Sequence, residues 1–144
     1  MLMREIGKIN RCAIYFREQH LSGTGLSGCH LSFVFNICKN PGITQEQLAK
    51  KIYIDKSRVT RQLAFLEENG YVDRKQSEAD KRSMAVYPTD KMLELYPKVC
   101  SVAKEWRRYL TEELSEEEIT FFESVLERVS EKAQAYVDKK EAEK

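Results

Sequence analysis

A mainly α-helical fold carrying one small β-hairpin is what this 144-residue sequence predicts. Apolar residues recur at steps of three and four along most of the chain, the period of an amphipathic helix. Two stretches, Thr44-Gln45-Glu46-Gln47 and Ser115-Glu116-Glu117-Glu118, match a helix-start signature in which hydroxyl and third side chain satisfy each other's backbone donors. Only "YVDRKQ" and "SMAVYP" read as strands, each rich in β-branched or aromatic residues and separated by the polar stretch 77–82.

The elements follow in order. Ile6, Ile9, Ala13 and Phe16 lie at helical spacing, predicting a first helix within residues 1–20 that ends before residues 22–25. Ser27 is placed to start a second helix through Leu31, Val34, Phe35 and Cys38. That helix must stop at Asn40-Pro41-Gly42, because a residue preceding proline is pushed out of helical geometry. Thr44 opens a short helix to about Lys51. Asp55 opens the next, which Asn69-Gly70 ends. The hairpin follows, with a charged tip. Thr89 and Asp90 then start a long helix in which Pro97 should produce a kink. Behind Ser115, residues Ile119, Phe122, Leu126, Val129, Ala133 and Tyr136 form a narrow seam of the kind that packs against another helix, and the tail from residue 138 is expected to fray.

Size and composition favour a single globular domain over residues 1–144, with 42% hydrophobic and 33% charged residues. The net charge of +1 conceals a split. Lys50, Lys51, Lys56, Arg58 and Arg61 face only Asp55 between positions 50 and 61, whereas acids dominate from Thr111 onward. No apolar run suits a membrane span and the first residues do not resemble a signal peptide, so a cytoplasmic location without membrane partners is expected. Cys12, Cys29, Cys38 and Cys100 are scattered, as reduced thiols would be, and His20 and His30 are the only histidines. No metal site and no cofactor are expected, and no nucleophile–base pair or phosphate loop points to an enzyme.

Two short helices joined by a tight turn form a helix-turn-helix if their apolar residues agree, and Leu48, Ala49, Ile52, Ile54, Val59 and Leu63 supply that set. Tyr53 stands at the turn, where many such units place glycine, so the turn must run without a left-handed residue or with some backbone strain. With Val59, Leu63 and Leu66 turned inward, Ser57, Arg58, Thr60, Arg61 and Ala64 are left on the outside. A DNA major groove admits one helix, and an arginine there discriminates guanine by about 1–3 kcal/mol. Lys56, Thr44 and Gln45 lie at helix starts, which suit phosphate oxygens. At the hairpin tip, Asp80 is expected to hold the Arg82 guanidinium in place beside Lys81, ready for a narrow minor groove. A reading helix plus a basic hairpin makes a winged helix-turn-helix, with residues 27–88 as its DNA-binding part.

The run "PGITQEQLAKKIYIDKSRVTRQLAFLEENGYVDRKQSEADKRSMAVYPTDK" resembles the DNA-binding core of the MarR family of bacterial transcriptional regulators. The likeness extends over roughly residues 26–100. It is strongest in "QLAKKI.IDKSRVTR.L..LE..GYV.R", in the Asp80–Arg82 pair, and in "TDK...LYP". The resemblance implies a homodimer, with dimerisation helices at 1–20 and 89–138, that acts as a repressor on a pseudo-palindromic double-stranded operator. By that pattern Ser57, Arg58, Thr60 and Arg61 read bases, and Asp80 and Arg82 form the wing pair. Met92 departs from it, standing where the family usually has glycine.

Release by a small aromatic ligand is a further implication of the resemblance, with Tyr15, Phe16, Arg17, His30, Phe33 and Tyr96 as the pocket. Cys12, in the first helix, is the redox candidate of an alternative in which a thiol senses oxidants, although Gly28 stands where one partner tyrosine is expected. Cys29, near a helix start where a thiol pKa can be lowered, is expected instead to be buried and inert. A winged helix used only for protein–protein contact is the other alternative, and it has no need of Arg58, Arg61 and Arg82 on one surface.

Overall fold

The computed structural model describes all of residues 1–144. Two compact units divide the chain, Met1–Trp106 and Arg107–Lys144. The first begins with α1 (Leu2–His20), whose last turn carries Arg17 and His20 against the negative end of the helix dipole. A 3-10 turn over Gly28–His30 leads into α2 (Leu31–Lys39). A helix beginning directly behind Ser27 was the expectation. Ser27 does cap the stretch, its amide donating to the His30 ring at 3.0 Å, but the first turn is a tighter 3-10 one before α2 begins.

β1 (Ile43–Thr44) is a third strand that the hairpin pattern did not include. Two residues are too few to show a period, and only pairing with Val86 and Ala85 makes them a strand. Thr44 then caps α3 (Gln45–Ile52): its hydroxyl accepts from the Gln47 amide at 3.1 Å, while the Gln47 side chain accepts from the Thr44 amide at 3.0 Å. Asp55 caps α4 (Lys56–Glu68) by accepting from the Arg58 amide at 2.9 Å. Between them Tyr53 adopts φ 54°, ψ 44°, the left-handed conformation that glycine takes without cost. The expected strain is therefore located at one residue.

β2 (Val72–Gln76) and β3 (Met84–Pro88) pair antiparallel, giving the sheet order β1-β3-β2. The Thr89 hydroxyl donates to the Gly70 carbonyl at 2.6 Å, tying the end of α4 to the start of α5 (Asp90–Thr111). Met92 is fully buried, so a large side chain fills the position where glycine was anticipated. The helix continues across Pro97.

The core lies between α2, α3, α4, the sheet and the first half of α5. Phe33, Ile37, Leu48, Val59, Leu63, Leu66, Val86 and Val99 are all completely enclosed. Removing each such side chain from water contributes about 1.5–3 kcal/mol, which is what sets the helix orientations. At the edge of this core Phe35 and Tyr96 meet edge to face at 6.1 Å. One turn further along each helix stand Cys38 and Cys100, both half-buried. Burial, reinforced by Cys100, pushes the Cys38 thiol up to about 11. Cys29, by contrast, is exposed, with its sulfur 2.9 Å from the Ser27 hydroxyl. The 3-10 turn presents it outward, which corrects the expectation of a buried thiol.

In the second unit, Ser115 caps α6 (Glu116–Ala142) with Glu118 completing the reciprocal pair. The helix runs through most of the tail that was expected to fray. Arg107 and Glu123 form an ion pair at 2.7 Å. No residue of this unit is buried.

Two outcomes test this architecture. A Cβ built on Gly28 falls 2.4 Å from the Ile14 carbonyl oxygen, a clash of backbone with backbone. Gly28→Ala should therefore lower unfolding free energy by about 1–3 kcal/mol in denaturant titration, and an unchanged midpoint would contradict the close crossing. Alkylation followed by mass spectrometry should find Cys38 reacting far more slowly than Cys29 near pH 8. Only about one part in a thousand of a thiol raised to about 11 is thiolate there, and its rate should climb toward pH 11.

Candidate nucleic-acid interface

The outward face of α4 follows from its inward one. With Val59, Leu63 and Leu66 sealed in the core, Ser57, Arg58, Thr60 and Arg61 are exposed and Ala64 is half-exposed. Several of these groups are already engaged. The Ser57 hydroxyl donates to Asp55 at 2.7 Å, and the Arg58 Nε lies 3.8 Å from the same carboxylate. Those contacts, the Ser57 bond foremost, hold the Asp55 carboxyl below its ordinary range. Lys56 is paired with Glu46 of α3. The Thr60 hydroxyl donates to the Lys56 carbonyl at 2.9 Å and accepts from Gln45 at 3.3 Å. Thr44 spends its hydroxyl on the helix cap. Arg61 alone among the α4 cations has no carboxylate partner.

At the wing tip the structure corrects the role given to Asp80. Its carboxylate accepts from the Arg82 backbone amide at 3.0 Å and from the Ser83 hydroxyl at 3.3 Å, leaving the guanidinium unheld. Further bonds brace the loop: the Ser77 amide donates to the Ser83 carbonyl at 2.8 Å, and Gln76 donates to the Lys81 carbonyl at 2.6 Å. Two residues separating carboxylate from arginine suit a backbone turn better than a side-chain ion pair. The wing is thus an ordered loop presenting two exposed, unpaired cations, Lys81 and Arg82.

Glu46, Glu67 and Arg74 were not singled out in the sequence. Arg74 Nη2 pairs with Glu67 at 3.0 Å, and the Arg74 amide donates to the other oxygen of the same carboxylate at 3.0 Å. Arg74 lies two residues after the buried Val72 on β2 and so on the same strand face, a period-two signal that pointed inward.

The six residues expected to line a ligand pocket have different immediate neighbours, with only His30 and Phe33 of the set in ring contact. Tyr15 is 66% exposed. Phe16 stacks on His20 at 3.9 Å and meets Trp106 at 4.9 Å. Arg17 reaches the Gly28 carbonyl at 3.5 Å, with burial lowering its pKa. His30 and Phe33 are core residues in contact with each other, and Tyr96 sits against Phe35. Because Ser27 donates to its Nδ1, the His30 ring carries its proton on Nε2 and donates to Gln62 at 2.7 Å. Burial depresses its pKa, so it is neutral at pH 7. Cys12 is exposed on α1.

Comparison with known proteins agrees with this geometry. The MarR family profile matches residues 29–84. The HTH-type transcriptional regulator YybA of Bacillus subtilis is 30% identical over 96 residues, a match spanning 67% of this chain and 64% of that relative's length. Among solved structures, a MarR protein from Peptoclostridium difficile superposes with a TM-score of 0.91 at 28% identity, covering 94% of this chain and 88% of that one. A MarR-family regulator from Listeria monocytogenes, solved in complex with a 26mer DNA, superposes at 0.85 with 28% identity, covering 95% and 93%. Winged helix-turn-helix fold and family profile converge: the chain belongs to the MarR family of helix-turn-helix transcriptional regulators.

Proposed function

We propose that this protein is a homodimeric regulator that binds a pseudo-palindromic site on double-stranded DNA, with α4 in the major groove and the wing in the adjacent minor groove. One observation carries the reading: Arg61 and Arg82 are exposed and free of carboxylates, whereas Lys56, Arg58 and Arg74 on the same elements are paired. A cation left unpaired on an ordered element is available to an incoming phosphate or base edge without first breaking an internal contact. A Listeria relative solved in complex with a 26mer DNA, similar over nearly the whole chain, supports DNA as the partner.

Support for a second chain comes from α6. Phe122 is 53% and Tyr136 68% exposed in the isolated chain, and Leu126 and Val129 beside them are also in solvent. An apolar seam of this length is stable in water only when covered, and a two-fold copy covers it by self-complementarity. A two-fold axis would set the reading helices about one DNA turn apart, roughly 34–36 Å.

Selection from random duplexes should yield a palindromic site whose binding weakens steeply with salt. Replacing both Arg61 and Arg82 with alanine should weaken binding to that site at least about tenfold; unchanged affinity would remove these residues from the interface. Leu126→Glu should convert a dimer to a monomer in sedimentation without loss of helical circular dichroism. A dimer that survives the substitution would place the contact elsewhere.

A further inference from the structure

The Arg74 side chain is only 20% exposed, yet it sits on the strand that leads into the wing. Nη2 grips Glu67 at 3.0 Å, and Nη1 donates to the Gln45 side-chain oxygen at 3.4 Å. Gln45 in turn donates to Thr60 at 3.3 Å. Thr60 and Glu67 are seven residues apart on α4, which puts them on one line of the helix about 10.5 Å apart. A single side chain of β2 therefore touches α4 at two points, one directly and one through Gln45.

We infer that Arg74 is a positioning residue that fixes the rotation of the reading helix relative to the wing, and so sets which DNA sequences Arg61 and Arg82 can contact together. This rests on the DNA-binding reading above and deepens it. One attachment limits only separation. Two along one helix line also prevent α4 from rolling about its axis, and rolling by a fraction of a turn changes which side chains meet the bases. The chemistry fits a rigid brace. Both oxygens of Glu67 are used by Arg74, and the resulting bonds hold that carboxyl below its usual range. The Arg74 Nε is enclosed and bonded to nothing, so the fork is oriented by its two ends. A lysine, with one charged tip, cannot span Glu67 and Gln45 at once. Of the groups expected to meet DNA, Arg74 bonds Gln45 directly and Thr60 only through it, and its own guanidinium is turned to Glu67, which separates its role from that of Arg61.

The test uses the full chain and the duplex recovered by selection, with random duplex as reference. Arg74→Gln should reduce the preference for the selected over the random duplex about tenfold. Affinity for random duplex and its salt dependence should stay as in the parent, because no phosphate contact is removed. Amide exchange across residues 77–83 should quicken. Glu67→Gln, which keeps an acceptor oxygen but loses the charge, should show a smaller loss in the same direction and guards against misfolding of the first variant. The charge-exchanged pair Arg74→Glu with Glu67→Arg should regain part of the preference. Preference unchanged in Arg74→Gln would overturn the inference. So would a fall in random-duplex affinity with the salt slope reduced by about one charge, since Arg74 would then touch phosphate itself. A parent protein with no preference for any duplex would remove the DNA reading and this inference together, an outcome distinct from a parental preference that survives the substitution.

Discussion

The burial of one side of α4 is the constraint on which the rest depends. Val59, Leu63 and Leu66 are enclosed by α2, α3 and the sheet, and no rotation of the helix keeps all three dry except the one observed. The opposite side must then face solvent. Charges there are inexpensive to maintain because they remain hydrated, and they are held in register by packing they do not take part in. A surface made this way can vary its polar side chains while the scaffold beneath stays constant.

Electrostatics on that surface divides into groups that are spoken for and groups that are not. Asp55 serves the helix start, Ser57 and Arg58 together, and Glu46 neutralises Lys56. Such exposed pairs contribute little to stability. Their effect lies in the field, since they concentrate net positive charge at Arg61 and at the wing. The wing achieves its order with bonds from Gln76 and Asp80 to main chain and hydroxyl groups, leaving its two cations exposed and unpaired at the tip.

How legible this was depends on the kind of signal. The Thr44 and Asp55 caps, and the enclosed triplet of α4, are local patterns with a single physical meaning, and each was found where expected. The two-residue strand at Ile43 was not, because its only cause is the distant strand beside it. The same applies to the 3-10 turn, which arises where Gly28 meets α1. At the site, the exposed arginines follow from helical period. Arg74 gives no clear signal because a charged residue in a short strand reads as solvated unless its inward phase is weighed, and its partner Glu67 reads as an ordinary exposed charge on α4. The misassignment at Asp80 had a different origin: a carboxylate near an arginine suggests a side-chain pair, although short spacing in a turn favours the main chain.

The contact between Gly28 and Ile14 has a mechanical consequence. Where side chains separate two segments, small displacements are absorbed by rotamer changes, much as a gasket takes up slack. Here peptide touches peptide, and nothing between them yields. The same turn carries His30, whose ring donates to Gln62 of α4 at 2.7 Å, so α1, the turn and α4 are joined by an unbroken line of direct contacts.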